Sequence, residues 1–113
     1  MILTLPWPPK DLSPNARVHW SRLAKAKKAY RAACAWTAKG QGAAKKDAQS
    51  LQVSLTFHPP TRRAIDIDNC LSRFKAGIDG LVDVLQVDDS LWRITIAKAE
   101  PVKGGAVRVE IAA

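Results

Sequence analysis

The sequence predicts an α+β fold: a single domain in which a mixed sheet packs against two helices, in the order β-α-β-α-β-β. Three observations carry that reading. Leu51-Gln52-Val53-Ser54-Leu55-Thr56-Phe57-His58 alternates apolar and polar residues, the two-residue period of a half-buried strand. Residues 16–39 are rich in alanine and other good helix formers. From Leu71 onward, Phe74, Ile78, Leu81, Val82 and Leu85 recur at three- and four-residue steps, which puts them on one face of a second helix.

Ile2-Leu3-Thr4-Leu5 forms a short first strand, stopped by Pro6-Trp7-Pro8-Pro9, whose prolines forbid helix and favour a rigid extended exit. Trp7 reads as a packing residue. Ser13-Pro14-Asn15 marks the start of the first helix. That helix has Trp20, Leu23, Tyr30 and Cys34 on its inner face, with Ala24 and Ala33 beside them. Gly40 to Asp47 is a loop, and the strand 51–58 leads into a second loop, Pro59-Pro60-Thr61-Arg62-Arg63. After the central helix, residues 92–99 form a strand with Ile94 and Ile96 on one face. Val107, Val109 and Ile111 mark the last strand. Pro101-Val102-Lys103-Gly104-Gly105 between them predicts a hairpin with a long turn.

At 113 residues the chain suits one domain, 1–113, with a modest core. Nothing approaches the roughly twenty apolar residues of a membrane span. The first residues lack a basic, cleavable leader pattern. Cys34 and Cys70 match no metal or redox spacing, and two unpaired thiols suit a reducing cytoplasm. The net charge of +8 and pI near 9.9 point to a polyanionic partner, nucleic acid before an acidic protein or a membrane surface. Between Lys10 and Lys46 there are ten basic residues and one acid, Asp11. A solvated helix face normally mixes both signs, so Arg17, Arg22, Lys25, Lys28 and Arg31 are candidate phosphate contacts.

Six of the ten acids fall between Asp66 and Asp89, a local reversal of the overall charge. Ile65-Asp66-Ile67-Asp68 alternates, and an extended backbone would turn both carboxylates to one side. With Asp88-Asp89 after the helix, these form a candidate site for a divalent cation. Mg²⁺ takes one or two carboxylates, keeps several waters and leaves room for phosphate oxygens. In phosphodiester hydrolysis such metals activate water and stabilise the departing oxygen. Lys75, seven residues after Asp68, falls on nearly the same helical face. The same aspartates also read as a helix cap (Asp68), a dipole partner (Asp66) and a turn (Asp88-Asp89). Arg62 and Arg63, just ahead of the carboxylates, are placed for phosphates beside such a site.

Five stretches in this order resemble the RusA-like Holliday junction resolvases, small dimeric endonucleases often carried by prophages. They are Leu5-Pro6-Trp7-Pro8-Pro9, Asp66-x-Asp68-Asn69, Lys75 with Asp79-Gly80-Leu81, Asp88-Asp89, and Pro101-Val102-Lys103-Gly104-Gly105. The resemblance implies an α+β homodimer that nicks opposing strands of a four-way DNA junction with Mg²⁺, and no small-molecule cofactor. It also implies Asp66, Asp68 and Asp89 as metal ligands and Lys75 as the essential lysine. The family's lysine commonly follows the second aspartate by four residues; here that position is Ser72. Lys75 keeps the four-residue step to Asp79, so three residues are inserted before it. A catalytically silent DNA-binding protein of the same fold is the competing reading, and the insertion is what favours it. A less selective nuclease is a third. A phosphatase and a helix-loop-helix calcium site fit poorly, the latter because no glycine stands where its loop turns.

Overall fold

The computed structural model describes residues 1–112 as one four-stranded mixed sheet with helices on one face. The elements are β1 (Ile2–Pro6), α1 (Trp20–Gly40), β2 (Leu51–His58), α2 (Ile67–Arg73), α3 (Lys75–Leu85), β3 (Trp92–Lys98) and β4 (Ala106–Ala112). Short 3-10 turns cover Lys10–Leu12 and Asp89–Leu91. The strand order is β1-β4-β2-β3. β4 runs antiparallel to both β1 and β2, whereas β2 and β3 are parallel.

The period-two pattern explains the core. Leu3 and Leu5 of β1, Leu51, Val53, Leu55 and Phe57 of β2, and Val107, Val109 and Ile111 of β4 all point to the helical side and are buried. Their neighbours Thr4, Gln52, Arg108 and Glu110 are exposed. α1 contributes Tyr30, Cys34 and Ala38, and α3 contributes Ile78, Leu81, Val84 and Leu85. α1 and α3 pack directly on one another, and Gly80 sits so close to the Arg31 carbonyl that a side chain there would collide with it.

Several expectations are corrected. The predicted β3–β4 hairpin does not form: the two strands are not neighbours, and β2 lies between them. The crossover through α2 and α3 returns β3 parallel to β2, pairing Leu51 with Trp92 and Leu55 with Ile96. β4 then takes the other edge of β2, pairing Val53 with Ile111. The 99–105 connection therefore spans the end of β2. Ala99 N–H donates to Phe57 O (2.9 Å) and Val102 N–H to Pro59 O (3.0 Å). Gly104 and Gly105 take positive φ (78° and 72°) to complete the turn.

α1 begins at Trp20 rather than near Ala16, and Ser13 does not start it; Ser13 instead accepts from Asn15 N–H in a local turn. His19 caps the helix, its Nδ1 accepting from Ser21 N–H (3.2 Å). Trp20, expected on the inner face, is 75% exposed, and Ala24 and Ala33 are exposed as well. The inner stripe is Leu23, Tyr30, Cys34 and Ala38; Trp20 occupies the first position of the helix and stays largely open.

The single central helix is two. Phe74 (φ −87°, ψ −2°) separates α2 from α3, and α2 starts at Ile67, so residues 65–68 do not form the extended pair of carboxylates expected. Burial of Phe74 accounts for the break. Its ring meets Tyr30 (6.2 Å, 75°) and Phe57 (5.9 Å, 79°) edge to face. The missing side chain of Gly77 leaves room for it.

Candidate active site

Lys75 is the first residue of α3, so its ammonium faces the positive end of the helix dipole. That placement costs about 0.3–1 kcal/mol where nothing offsets it. Two carboxylates offset it. Lys75 Nζ donates to Asp89 Oδ2 at 2.7 Å and lies 3.6 Å from Asp79 Oδ1 one turn along α3. The hydrogen bond to Asp89, then the charge of Asp79, holds the ammonium above the usual lysine range. Asp89 stands in the turn after α3. There Asp88 accepts from Ser90 N–H (3.2 Å) and from the Ser90 hydroxyl, which lowers the Asp88 carboxyl below its usual range.

Lys75, Asp79 and Asp89 line a groove of about 900 Å³ between α1, the segment 11–16 and the α2–α3 junction. Lys27, Lys28 and Arg31 of α1 border it opposite Lys75, Asp79 and Asp89. The groove thus sets a cationic helix against a lysine–carboxylate cluster. Arg31 is partly committed: it forms a two-point pair with Asp83 (2.7 Å at both nitrogens), which lowers the Asp83 carboxyl. Arg22 pairs with Asp11 (2.9 Å) and ties α1 to the first 3-10 turn. Arg17, Lys25 and Lys28 are exposed, as are Arg62 and Arg63 in the loop before α2.

Asp66 occupies the N-cap position of α2 without a side-chain cap bond, and Asp68, in the first turn, accepts from Asn69 N–H (3.0 Å). Both are exposed. The expectation that Lys75 shares a helical face with Asp68 fails, because the break at Phe74 separates their helices. Asp68 lies in α2, whereas Lys75 opens α3 with its ammonium on Asp89. As donors, three exposed or half-buried carboxylates suit a hard divalent ion. In this arrangement, however, no three acidic, histidine or cysteine side chains among the described residues gather where they could hold one ion, and Lys75 engages Asp89.

Two contributors, Lys27 and Arg73, escape the sequence motifs, whereas Asp79 is legible through its motif with Lys75. Lys27 lies one turn from Arg31, where helical spacing finds it. Arg73 had no local signal. Its Nη2 donates to Pro8 O (2.9 Å), and its guanidinium sits 5.7 Å from the Trp7 ring centre. Burial pulls it below the usual arginine range. This contact joins Pro6-Trp7-Pro8-Pro9 to the α2–α3 junction. Gly105 completes it, lying so close that an added Cβ would stand 2.8 Å from Trp7 Cβ. Cys34 and Cys70 are free, buried and outside the groove lining.

Fold and groove together define an α+β protein whose cationic helix faces a lysine–carboxylate cluster across an open cleft. The chain belongs to the RusA endodeoxyribonuclease family, whose model, described as endodeoxyribonuclease RusA, matches residues 6–112. It is also 49% identical over 90 residues to a protein of Xylella fastidiosa (strain Temecula1 / ATCC 700964) described as an uncharacterized protein. That match covers 77% of this chain and 59% of the relative, so the chain spans less than two thirds of the relative's length. No helix among the described residues is long and apolar enough to cross a membrane.

Proposed function

We propose that this chain is a Mg²⁺-dependent, structure-specific endodeoxyribonuclease that resolves four-way DNA junctions by paired symmetric nicks. It acts as a single-domain catalytic unit in the cytoplasm, in DNA recombination and repair. The observation that carries this is the Lys75–Asp89 pair, set in a groove whose opposite wall is the basic α1, in a chain of the RusA family.

Asp66, Asp68 and Asp89 would hold Mg²⁺ only once Lys75 releases Asp89 and the three carboxylates are drawn together; the ion would then supply water activation and stabilisation of the departing oxygen. The remaining work falls to side chains of this chain. Lys75 offsets the charge that grows on the phosphate as it is attacked. Arg62 and Arg63 precede α2 and hold the strand near Asp66 and Asp68. Arg17, Arg22, Lys25, Lys28 and Arg31 hold the DNA arms through their phosphates. Those contacts are independent of base sequence, as recognition of a branched shape requires. A homodimer follows from the substrate: a four-way junction has approximate two-fold symmetry, and a C₂ pair presents one site to each of two equivalent strands.

The test is incubation with a synthetic four-way junction and Mg²⁺, alongside linear duplex and the Asp68→Asn variant. Symmetric nicks in the junction alone, lost in the variant while junction binding persists, are the expected result. Tight binding with no cleavage by the unaltered chain would replace this reading with a silent junction-binding protein. The shift before Lys75, which leaves Ser72 four residues after Asp68, is what favours that second reading.

A further inference from the structure

Trp20 is the largest apolar side chain left open beside the groove. Its exposure of 75% is far from what an indole on a helix of a small packed domain ordinarily shows. Nor does the helix need it: Leu23, Tyr30, Cys34 and Ala38 supply the contact with the core. Trp20, Leu23, Lys27 and Arg31 follow one another at steps of three, four and four residues, so they form one stripe along α1. Leu23, Lys27 and Arg31 of that stripe line the groove, and Trp20 continues it past the groove's end. The stripe therefore runs from the lysine–carboxylate cluster to an open aromatic face.

The surroundings of that face are cationic. Arg17, Arg22 and Lys25 are exposed within five residues of it, and the nearest acid in sequence, Asp11, is paired with Arg22. His19 lies against the indole at 5.4 Å between ring centres, tilted by 35°, which leaves the ring supported on one side. A flat apolar ring within a field of phosphate-binding groups suits a nucleobase and its backbone together. Every base has a π-face that can stack, whereas its backbone is drawn by the neighbouring cations. Trp36 differs in this respect. It is equally exposed, but it lies on another side of α1, with the Lys39 ammonium 5.6 Å from its ring centre.

We infer that Trp20 is a base-stacking platform: it receives a nucleobase unstacked at the branch point of the DNA whose scissile strand lies in the groove. This inference rests on the nuclease reading of that groove. It assigns Trp20 to substrate binding, as a residue that recognises the branch by its loosened bases. A second copy of the chain is the rival occupant of the indole. The charge around it argues against that, since two such basic patches facing each other would repel.

The experiment uses a four-way junction carrying 2-aminopurine beside the branch point. Binding is followed without divalent metal, and cleavage of the same junction is followed with Mg²⁺. Binding of the unaltered chain is expected to change 2-aminopurine emission. Trp20→Ala should abolish that change and weaken binding about tenfold, in the range for loss of one base–aromatic stack. Trp20→Phe should restore most of both, and Trp36→Ala should leave both unchanged. If Trp20→Ala binds, changes the emission and cleaves like the unaltered chain, the platform is overturned and the nuclease reading stands. If Trp20→Ala leaves the emission change intact but converts a dimer to a monomer in sedimentation, the indole is a contact between copies and the platform is again overturned. Neither binding nor cleavage by the unaltered chain would overturn both readings.

Discussion

Lys75 Nζ and Asp89 Oδ2 meet at 2.7 Å, joining the first residue of α3 to the turn that follows its last. The two are fourteen residues apart, and α3 closes the distance by running out along the α1 contact and handing the chain back through Val87 to the start of β3. An ammonium at a helix N-terminus is not there for the sake of the helix. α3 has no acid in its first turn to favour that end, so the lysine depends on Asp79 and Asp89.

Replacing Lys75 with alanine should reduce junction cleavage by about 100-fold or more, the scale for losing one group that stabilises transition-state charge. Lys75 is 59% exposed, so global stability should change by less than about 1 kcal/mol. Single-turnover cleavage and urea unfolding of the same preparation check the two halves. Equal loss of stability and activity would make the lysine structural.

Gly105 and Gly104 separate two effects of glycine. At Gly104 a Cβ would meet nothing, so Gly104→Ala should cost only the positive-φ strain, about 1 kcal/mol. At Gly105 the added methyl also strikes Trp7, and Gly105→Ala should cost about 2–3 kcal/mol. Denaturant midpoints for the two variants check this. Equal losses would mean that the Trp7 contact yields freely.

Gly80→Ala should cost more than a typical helix-interior change, although alanine is the better helix former. The methyl points at the Arg31 carbonyl, part of the backbone of α1, which cannot turn aside like a side chain. A loss of about 2–4 kcal/mol is expected. The Arg31–Asp83 pair spans the same interface and should loosen with it. Thermal unfolding, with the Asp83 carboxyl titrated by NMR, would show both, the Asp83 pKa moving back up toward its ordinary value.

Burial pushes the Cys34 thiol up to about 11, and burial likewise raises Cys70. Both should resist a thiol reagent at pH 8 in the folded chain and react at once in denaturant. The sign of the stability effect follows from the raised value. The folded state favours the protonated thiol, so its contribution is complete below the ordinary thiol range and declines as pH rises through 9 toward 11. Urea unfolding at pH 7.5 and 10 should show the decline, and Cys34→Ala should reduce its Cys34 share.

Binding should weaken steeply with salt, because each neutralised phosphate releases counterions. Removing Arg62 or Arg63 should reduce the slope of log affinity against log salt by about one each, without changing junction selectivity. Arg22→Ala should lower the slope less, since Asp11 already holds that guanidinium.

The sequence alone determined the strands, most of the core and the charges that border the groove. Alternation placed β2 at residues 51–58 and marked Leu51, Val53, Leu55 and Phe57 as its buried side, because a two-residue period has only one way to bury an apolar face. The concentration of acids after Asp66 and of bases before Lys46 marked the two walls of the groove, and the spaced motifs pointed to the family. Tertiary structure decided the rest. Only the burial of Phe74 between Tyr30 and Phe57 splits the central helix, and only that split turns Lys75 toward Asp89. The pairing of β3 with β2 was equally hidden: two adjacent strands separated by a glycine turn look like a hairpin until the crossover helices have claimed one edge of β2. Trp20 reads by periodicity as a core residue. It is exposed because a helical stripe says which residues align, whereas the elements packed against the helix say how much of that stripe is covered.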